Sequence, residues 1–129
     1  MTSYKDYVSA EELTKRGYDL DKDGVLDTEH FQTKEDAVDD FMQNSFDIIQ
    51  ELVRNYRGRK WTNAFYEDMK KTDLTGKALE FQEALNEAII EQCIFTYDNG
   101  DASASAYKGE SHYAPKAVSK LWGLVIGDF

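Results

Sequence analysis

Apolar residues recur every three or four positions along two long segments of the chain, which predicts two amphipathic helices. The first segment carries this spacing over residues 38–56, follows a capping box at residues 33–36 and is closed by Gly58. The second covers residues 77–98, and its apolar positions occupy a wider arc. We therefore expect the second helix to lie at the centre of the core or to pack against neighbours on two sides.

Shorter patterns predict three further helices. A capping box that begins with serine opens a short helix at residues 9–17, which ends in glycine. Apolar spacing predicts another over residues 61–71. The last covers residues 114–123, where a proline occupies a tolerated position in the first turn.

The stretch before the last helix has a different character. Residues 101–113, "DASASAYKGESHY", alternate small and polar side chains, and Lys108-Gly109 lies where a hairpin turn would fall. These side chains are too small to form a core, so a hairpin here has to lie on another surface. The apolar end of the chain, "LVIGDF", is also expected to dock. The sequence thus predicts a mainly α protein with one domain over residues 1–129: a small helical bundle with a C-terminal β-hairpin or extended arm.

The charge of the chain is acidic but unevenly distributed. The 129 residues contain 25 acidic and 15 basic side chains, for a formal net charge of −10. Residues 1–53 carry −9, residues 54–77 carry +4 and residues 78–129 carry −5. Such a chain is not expected to bind nucleic acid over its whole surface, since phosphate binding requires a positive footprint. No apolar run reaches the length of a membrane span, so we expect a soluble protein with no membrane partner.

The segment "DLDKDGVLD" begins as an EF-hand calcium loop does. The candidate calcium ligands are the carboxylates of Asp19, Asp21, Asp23 and Asp27 and the backbone carbonyl of Val25. Position twelve, however, is His30 instead of the bidentate carboxylate that completes the oxygen shell, and no second loop is present to pair with the first. The plainer interpretation is a solvated acidic turn, and any calcium site here is expected to be weak.

Catalytic chemistry finds little support in the residue pattern. His30 and His112 stand apart from any zinc-binding spacing, and there is no phosphate-binding glycine loop or nucleophile motif. Cys93 lies on the apolar stripe of the second long helix and is expected to be a buried structural thiol. A row of glutamates on that helix lacks the Glu-x-x-His of di-metal bundles and is interpreted as a solvated face. We expect no enzyme activity and no cofactor beyond weakly held calcium.

One basic cluster interrupts the acidic sequence. It is "RNYRGRKW", residues 54–61, with Tyr56 and Trp61 interleaved among the cations. Cations and aromatic rings together suit a nucleic-acid backbone or an acidic protein partner. The plainer interpretation is that bases at the end of the first long helix complement its macrodipole. In so acidic a chain we expect this cluster to meet the acidic surface of another copy rather than DNA.

The order of these segments resembles a known family. A short helix, "YVSAEELTKRGYD", precedes two long ones, "AVDDFMQNSFDIIQELVRNYRGRKW" and "FQEALNEAIIEQCIFTYDNGD". Small-residue strands, "ASASAYKGES", and a closing "SHYAPKAVSKLWGLV" follow. Over nearly the whole chain this layout resembles the head-tail connector proteins of tailed bacteriophages, also called adaptor or head-completion proteins. The acidic loop at residues 19–27 departs from that layout.

The resemblance implies a structural part of the virion neck, made in the host cytoplasm. Copies would form a ring, a dodecamer in this family, beneath the portal protein. The ring would extend the DNA channel without binding DNA specifically, and would dock the next neck or tail-completion protein. The residues expected at ring or partner interfaces are Arg54, Arg57, Arg59, Lys60, Trp61, Ser103, Ser105, Tyr107, Lys108, Tyr113, Leu124, Val125, Ile126 and Phe129. The glutamates expected to face the channel are Glu80, Glu83, Glu87 and Glu91.

Two functions of other classes stay open at this point. The first is a small calcium-binding regulatory domain, which depends on the loop from Asp19 to His30 alone. The second is a helical adaptor of the cell with no viral role. The state of assembly distinguishes these alternatives from the connector. A monomer that responds to calcium favours the calcium-binding domain, and a ring favours the connector.

Overall fold

The computed structural model describes residues 3–16, 37–98 and 113–127. In chain order the elements within these ranges are a 3-10 helix, Tyr4–Asp6, and the α-helices α1, Ala10–Lys15; α2, Ala37–Arg57; α3, Arg59–Met69; α4, Gly76–Asp98; and α5, Pro115–Leu121. The protein is therefore mainly α, as predicted. The five helices expected from the sequence are all present, whereas the 3-10 helix was not foreseen. The capping box at residues 33–36 lies outside the described residues.

Helix α4 is the central element of the bundle. It packs against α2 on one side and α5 on the other, and it also contacts α1 and α3. Leu85, Ala88, Ile89 and Cys93 are completely buried along its length. The apolar arc of α4 is wide because the helix packs against two neighbouring helices at once. This confirms the expectation that it lies at the centre of the core.

Two polar contacts set the register of the helices around α4. The amide of Ala114 donates to Oε1 of Gln92 at 2.7 Å, in a buried position at the start of the last helix. The hydroxyl of Ser45 donates to Oγ1 of Thr96 at 3.3 Å, also buried, between α2 and α4. Each pairs polar groups that would be costly to bury alone, so they hold α5 and α2 at fixed positions along α4.

The N-terminal segment is anchored by an aromatic cluster. The ring of Tyr7 lies 5.3 Å from that of Phe46 and 5.6 Å from that of Tyr66. The hydroxyl of Tyr7 donates to the carbonyl oxygen of Tyr66 at 2.7 Å. Residues 3–9 thus join the core through contacts with α2 and α3, although nothing periodic in their sequence predicts it.

The end of the described chain folds back onto the bundle. Val125 and Ile126 are fully buried, and the amide of Ile126 donates to the carbonyl oxygen of Leu121 at 3.1 Å. The amide of Gly123, at a φ of +82°, donates to the carbonyl oxygen of Ile126 at 2.8 Å and closes a tight turn. The prediction that Val125 and Ile126 lie at an interface with a partner is therefore wrong: their side chains complete the core of their own chain.

Several sequence predictions fall outside the described residues. These are the β-hairpin or arm with Ser103, Ser105, Tyr107 and Lys108, the chain end at Phe129, and the calcium loop with Asp19, Asp21, Asp23, Val25 and Asp27. Among the interface residues predicted near the hairpin, the structure describes Tyr113. It is half-buried, and its hydroxyl accepts a hydrogen bond from Nδ2 of Asn55 at 3.2 Å.

Burial of Cys93 predicts a loss of stability at alkaline pH. Desolvation raises the pKa of this thiol from 9.0 to about 12, against a smaller lowering by the hydroxyl of Ser45. Above pH 9 the unfolded chain loses this proton and the folded chain keeps it, so the free energy of unfolding falls as the pH rises. We expect Cys93 alone to account for a loss on the order of 1 kcal/mol between roughly pH 8 and pH 10.

The control for this effect is the Cys93→Ala variant, which has no thiol to titrate. Urea unfolding of both chains at several pH values measures the difference in stability between them. That difference should shrink by an amount on the order of 1 kcal/mol from roughly pH 8 to pH 10. A difference that stayed constant over this range would show that the thiol is not buried as the structure places it.

Candidate protein-binding face

Cationic and aromatic side chains converge where α2 ends, α3 begins and the chain emerges from α5. We call this surface the basic face; its members are Arg54, Arg57, Arg59, Lys60 and Lys120, with the rings of Tyr56, Trp61 and Trp122. The first four cations and Trp61 were predicted to lie at an interface; in the structure Arg57 contacts Val125 and Tyr56 contacts Trp122, each more than 60 positions further along the chain. Lys120 and Trp122 were not predicted.

Gly58 is the reason that bases from two helices share one surface. Its φ is +85°, a conformation that favours glycine, and it joins α2 directly to α3. Its amide donates to the carbonyl oxygen of Arg54 at 2.8 Å, and its own carbonyl oxygen accepts from the hydroxyl of Thr62 at 2.7 Å. The single-residue junction keeps Arg57 and Arg59 on either side of one turn.

Arg57 connects the three segments of the basic face. Its Nε donates to the carbonyl oxygen of Val125 at 2.7 Å, and its guanidinium lies 4.4 Å from the centre of the Trp61 ring. Trp61 in turn stacks on Phe65 with ring centres 4.9 Å apart. Arg57 and Trp61 therefore serve mainly to build the face, whereas Arg59 and Lys60 extend from it exposed, without an ion pair among the described residues.

The most exposed rings of the face are those of Tyr56 and Trp122. They are 51% and 49% exposed, and they meet edge to face with centres 5.9 Å apart. Gly127 has a φ of +101°, and a Cβ atom there would lie 2.9 Å from the indole of Trp122. The indole thus rests on backbone that only glycine leaves open, so Trp122 is held in place although half of it faces solvent.

The electrostatic character of the face is the opposite of that of the whole chain. Residues 52–66 and 118–127 contain five cationic side chains and no carboxylate. Glu51 borders this region beside Tyr113, whose pKa is raised by burial and by that carboxylate. The rest of the chain carries the whole acidic excess, so the protein has a basic side and an acidic remainder.

The predicted acidic row on α4 lies on the accessible side of the helix. Glu80 and Glu83 are exposed, whereas Glu87 and Glu91 are partly buried. Oε2 of Glu87 accepts from Nη2 of Arg16 at 2.8 Å, a pair that raises the pKa of the arginine chiefly through this hydrogen bond. The N-terminal segment therefore covers part of the row, and the four carboxylates do not form one uninterrupted acidic surface.

Concave surfaces also lie apart from the basic face. A pocket of about 260 Å³ lies between the end of α4 and the start of α5. A polar cleft of about 440 Å³ lies between residues 5–9 and α4, where Oδ1 of Asn86 is buried without a hydrogen-bond partner among the described groups. The walls of the pocket are mostly apolar, whereas the cleft is lined by both cationic and anionic side chains, so an apolar group fits the first and a polar group the second.

The described residues contain no obvious catalytic or metal-binding arrangement. No three His, Cys, Asp or Glu side chains are grouped as metal ligands in the three described ranges. The raised pKa of Cys93 keeps its thiol protonated, the opposite of what a nucleophile requires. No helix in the same ranges is long and apolar enough to cross a membrane.

Comparison with known proteins found no similar protein. No family model matches the chain, and no curated protein or solved structure matches it either. The features that bear on function are therefore the basic face and the layout of the sequence.

Proposed function

We propose that this protein is a structural neck component of a tailed bacteriophage, a head-tail connector that forms a ring beneath the portal protein. The layout of the sequence is one support. The helical part of that layout, a short helix, two long helices and a short closing helix, agrees with α1, α2, α4 and α5. A predominantly helical bundle with its core around α4 suits a scaffold protein that acts through its surfaces.

The basic face is the observation that carries the proposal. The four cations of residues 54–60, next to the exposed rings of Tyr56 and Trp122, are complementary to the acidic remainder of an identical chain. Because the two surfaces differ, their contact is heterologous, and heterologous contacts generate rings when the rotation closes. Many modest contacts around a ring add up through multivalency.

The fold changes the residues assigned to two surfaces of the expected connector. The apolar chain end contributes Val125 and Ile126 to the core, so the outward contacts are assigned to the basic face instead. The channel wall is assigned to exposed carboxylates such as Glu80 and Glu83, which would let DNA pass without sticking. The hairpin or arm remains the segment proposed to reach a neighbour or the portal.

The decisive experiment combines native mass spectrometry with negative-stain electron microscopy of the full chain. It is run alone and with the portal protein of the same genome, each in calcium or in chelator. A ring, alone or on the portal, supports the proposal, with twelve copies expected. A monomer that binds calcium and ignores the portal would replace it with the calcium-binding regulatory domain.

Charge reversal on the basic face is expected to weaken assembly. The variant Arg59→Glu/Lys60→Glu places like charges against the acidic surface of the next copy, and we expect association at least about tenfold weaker. The matched control is Lys70→Glu/Lys71→Glu, which has the same change in net charge at the other end of α3. Sedimentation at two salt concentrations measures both. Equal losses in the two variants would show that net charge, not the basic face, governs assembly.

A further inference from the structure

The negative charge that could balance the basic face is concentrated in one stretch of the sequence. Residues 3–16, 37–98 and 113–127 together contain 15 acidic and 12 basic side chains, a net charge of −3. Residues 17–36, which lie outside the described ranges, contain seven carboxylates and two lysines, a net charge of −5. We call these 20 residues the acidic segment. They hold half of the net charge of −10 that the whole chain carries.

Many cations of the described helices already have a carboxylate of their own chain beside them. Nζ of Lys71 lies 3.3 Å from Oδ1 of Asp68, and Nη2 of Arg16 lies 2.8 Å from Oε2 of Glu87. Pairs of the same kind are made by Lys15, Lys70 and Lys77. Arg59 and Lys60 are exposed and have no ion pair within the described ranges. The basic face therefore offers its cations to a partner beyond these helices.

We propose that the acidic segment of one copy binds the basic face of a second copy. The cations at residues 54–60 meet the densest part of the segment, residues 19–29, where five carboxylates accompany a single lysine. The half-exposed rings of Tyr56 and Trp122 lie beside these cations and provide apolar surface for the aromatic residues of the segment. This contact rests on the proposed ring and names the acidic surface that the basic face meets.

The positions of the two surfaces favour contact between copies over contact within one chain. The acidic segment joins Arg16 to Ala37, where α2 begins, whereas the basic face lies where α2 ends at Arg57. These two ends are about 30 Å apart. In its own chain the segment would use at least about nine of its 20 residues to cross that distance, and would still have to return to Arg16. Between copies, one end of α2 meets the other end of the next, the head-to-tail arrangement of a ring.

Zero-length cross-linking of the full chain tests the contact directly. A carbodiimide joins Lys60 to a carboxylate only where the ammonium and the carboxylate touch. The sample is an equimolar mixture of unlabelled and isotope-labelled protein, kept in chelator because the segment holds the candidate calcium ligands. By mass spectrometry we expect peptides in which Lys60 of one label is linked to residues 19–29 of the other. Links confined to a single label would place the contact within one chain, and either that result or no such link overturns the proposal.

Charge reversal on each side should weaken association, and reversal on both sides should restore it. Asp21→Lys/Asp23→Lys changes the acidic segment, and Arg59→Glu/Lys60→Glu changes the basic face. By sedimentation equilibrium we expect each variant to associate at least about tenfold more weakly than the wild type. The chain with all four substitutions again pairs opposite charges and should associate more tightly than either variant.

The control for this rescue has the same net charge but no restored pairing. It combines Asp21→Lys/Asp23→Lys with Lys70→Glu/Lys71→Glu, because Lys70 and Lys71 follow the other end of α3. This chain should stay as weak as the segment variant alone. Circular dichroism melting checks that every variant is folded. Equal association of the two chains with four substitutions would show that net charge governs assembly, and would overturn the contact.

The same measurements separate the contact from the ring. Rings, alone or on the portal protein, without a link between Lys60 and residues 19–29 would overturn the contact and leave the connector proposal intact. A chain that makes the link between copies but assembles only into open chains would establish the contact and overturn the ring. A wild-type chain that stays monomeric to about 1 mM, with no link on the portal protein, overturns the contact.

Discussion

Replacing Ile126 by alanine is expected to lower the free energy of unfolding by about 2–5 kcal/mol. The side chain is completely buried, and the turn that carries it is closed by hydrogen bonds to Leu121 and from Gly123. Truncation removes apolar contacts and leaves a cavity that the surrounding helices fill only in part. Urea unfolding at low protein concentration, followed by circular dichroism, measures this loss in the isolated chain.

The control for Ile126 is Leu79→Ala, because Leu79 is 36% exposed and lies in the first turn of α4. Its truncation should change stability by no more than about 0.5 kcal/mol. If Ile126→Ala left the isolated chain as stable as the wild type and weakened only its assembly, the chain end would belong to an interface. The burial of Val125 and Ile126 in their own core would then be incorrect.

The long helices were predictable because their signal is local. A three-to-four spacing over twenty residues identifies α2 and α4 with no knowledge of what covers them. Gly58 marks the end of α2 by its backbone freedom, and Pro115 marks the start of α5 by its fixed φ. In each case the residue that decides the structure lies within the element itself.

The two chain segments that flank the bundle were less predictable because their partners are distant in sequence. Tyr7 joins the core through the carbonyl of Tyr66, 59 residues away. The backbone of Val125 is held by Arg57, 68 residues away. The six-residue end "LVIGDF" is too short to show a periodicity, so its sequence does not distinguish docking on the same chain from docking on a neighbour.

Only part of the basic face could be predicted from the sequence. Arg54, Arg59 and Lys60 are close together in the sequence, so their cluster was visible in "RNYRGRKW". Trp122 joins them only through the fold, by its contact with Tyr56. The one local hint was a large aromatic residue directly before a glycine at the end of a short helix, which places a ring where the chain turns outward.

The ring requires that the basic face meet an acidic surface, which charge reversal at Arg59 and Lys60 tests. Long-range charge governs mainly the rate at which copies encounter one another, and salt screens it. We therefore expect the difference in association between the wild type and the Arg59→Glu/Lys60→Glu variant to shrink as the salt concentration rises.

The largest single loss of stability is expected for Phe46→Ala, about 3–5 kcal/mol. Phe46 is fully buried in α2 and lies between two rings, 5.3 Å from Tyr7 and 5.5 Å from Tyr66 in an edge-to-face contact. Its removal takes away apolar contacts with both tyrosines and leaves Tyr7 with its contact to Tyr66 alone of these two ring contacts. In a small domain with a total stability on the order of 5–15 kcal/mol, this is a large share.

The matched control for Phe46 is Tyr66→Phe in the same cluster. The hydroxyl of Tyr66 is buried without a hydrogen-bond partner among the described groups, and burial raises its pKa. Removing a buried and unpaired polar group relieves a desolvation cost and keeps every ring contact, so this variant should be as stable as the wild type or more stable. Urea unfolding of the two variants compares ring packing with hydroxyl burial directly. A destabilised Tyr66→Phe would show that the hydroxyl has a partner, and a tolerated Phe46→Ala would show that residues 3–9 are anchored by other contacts.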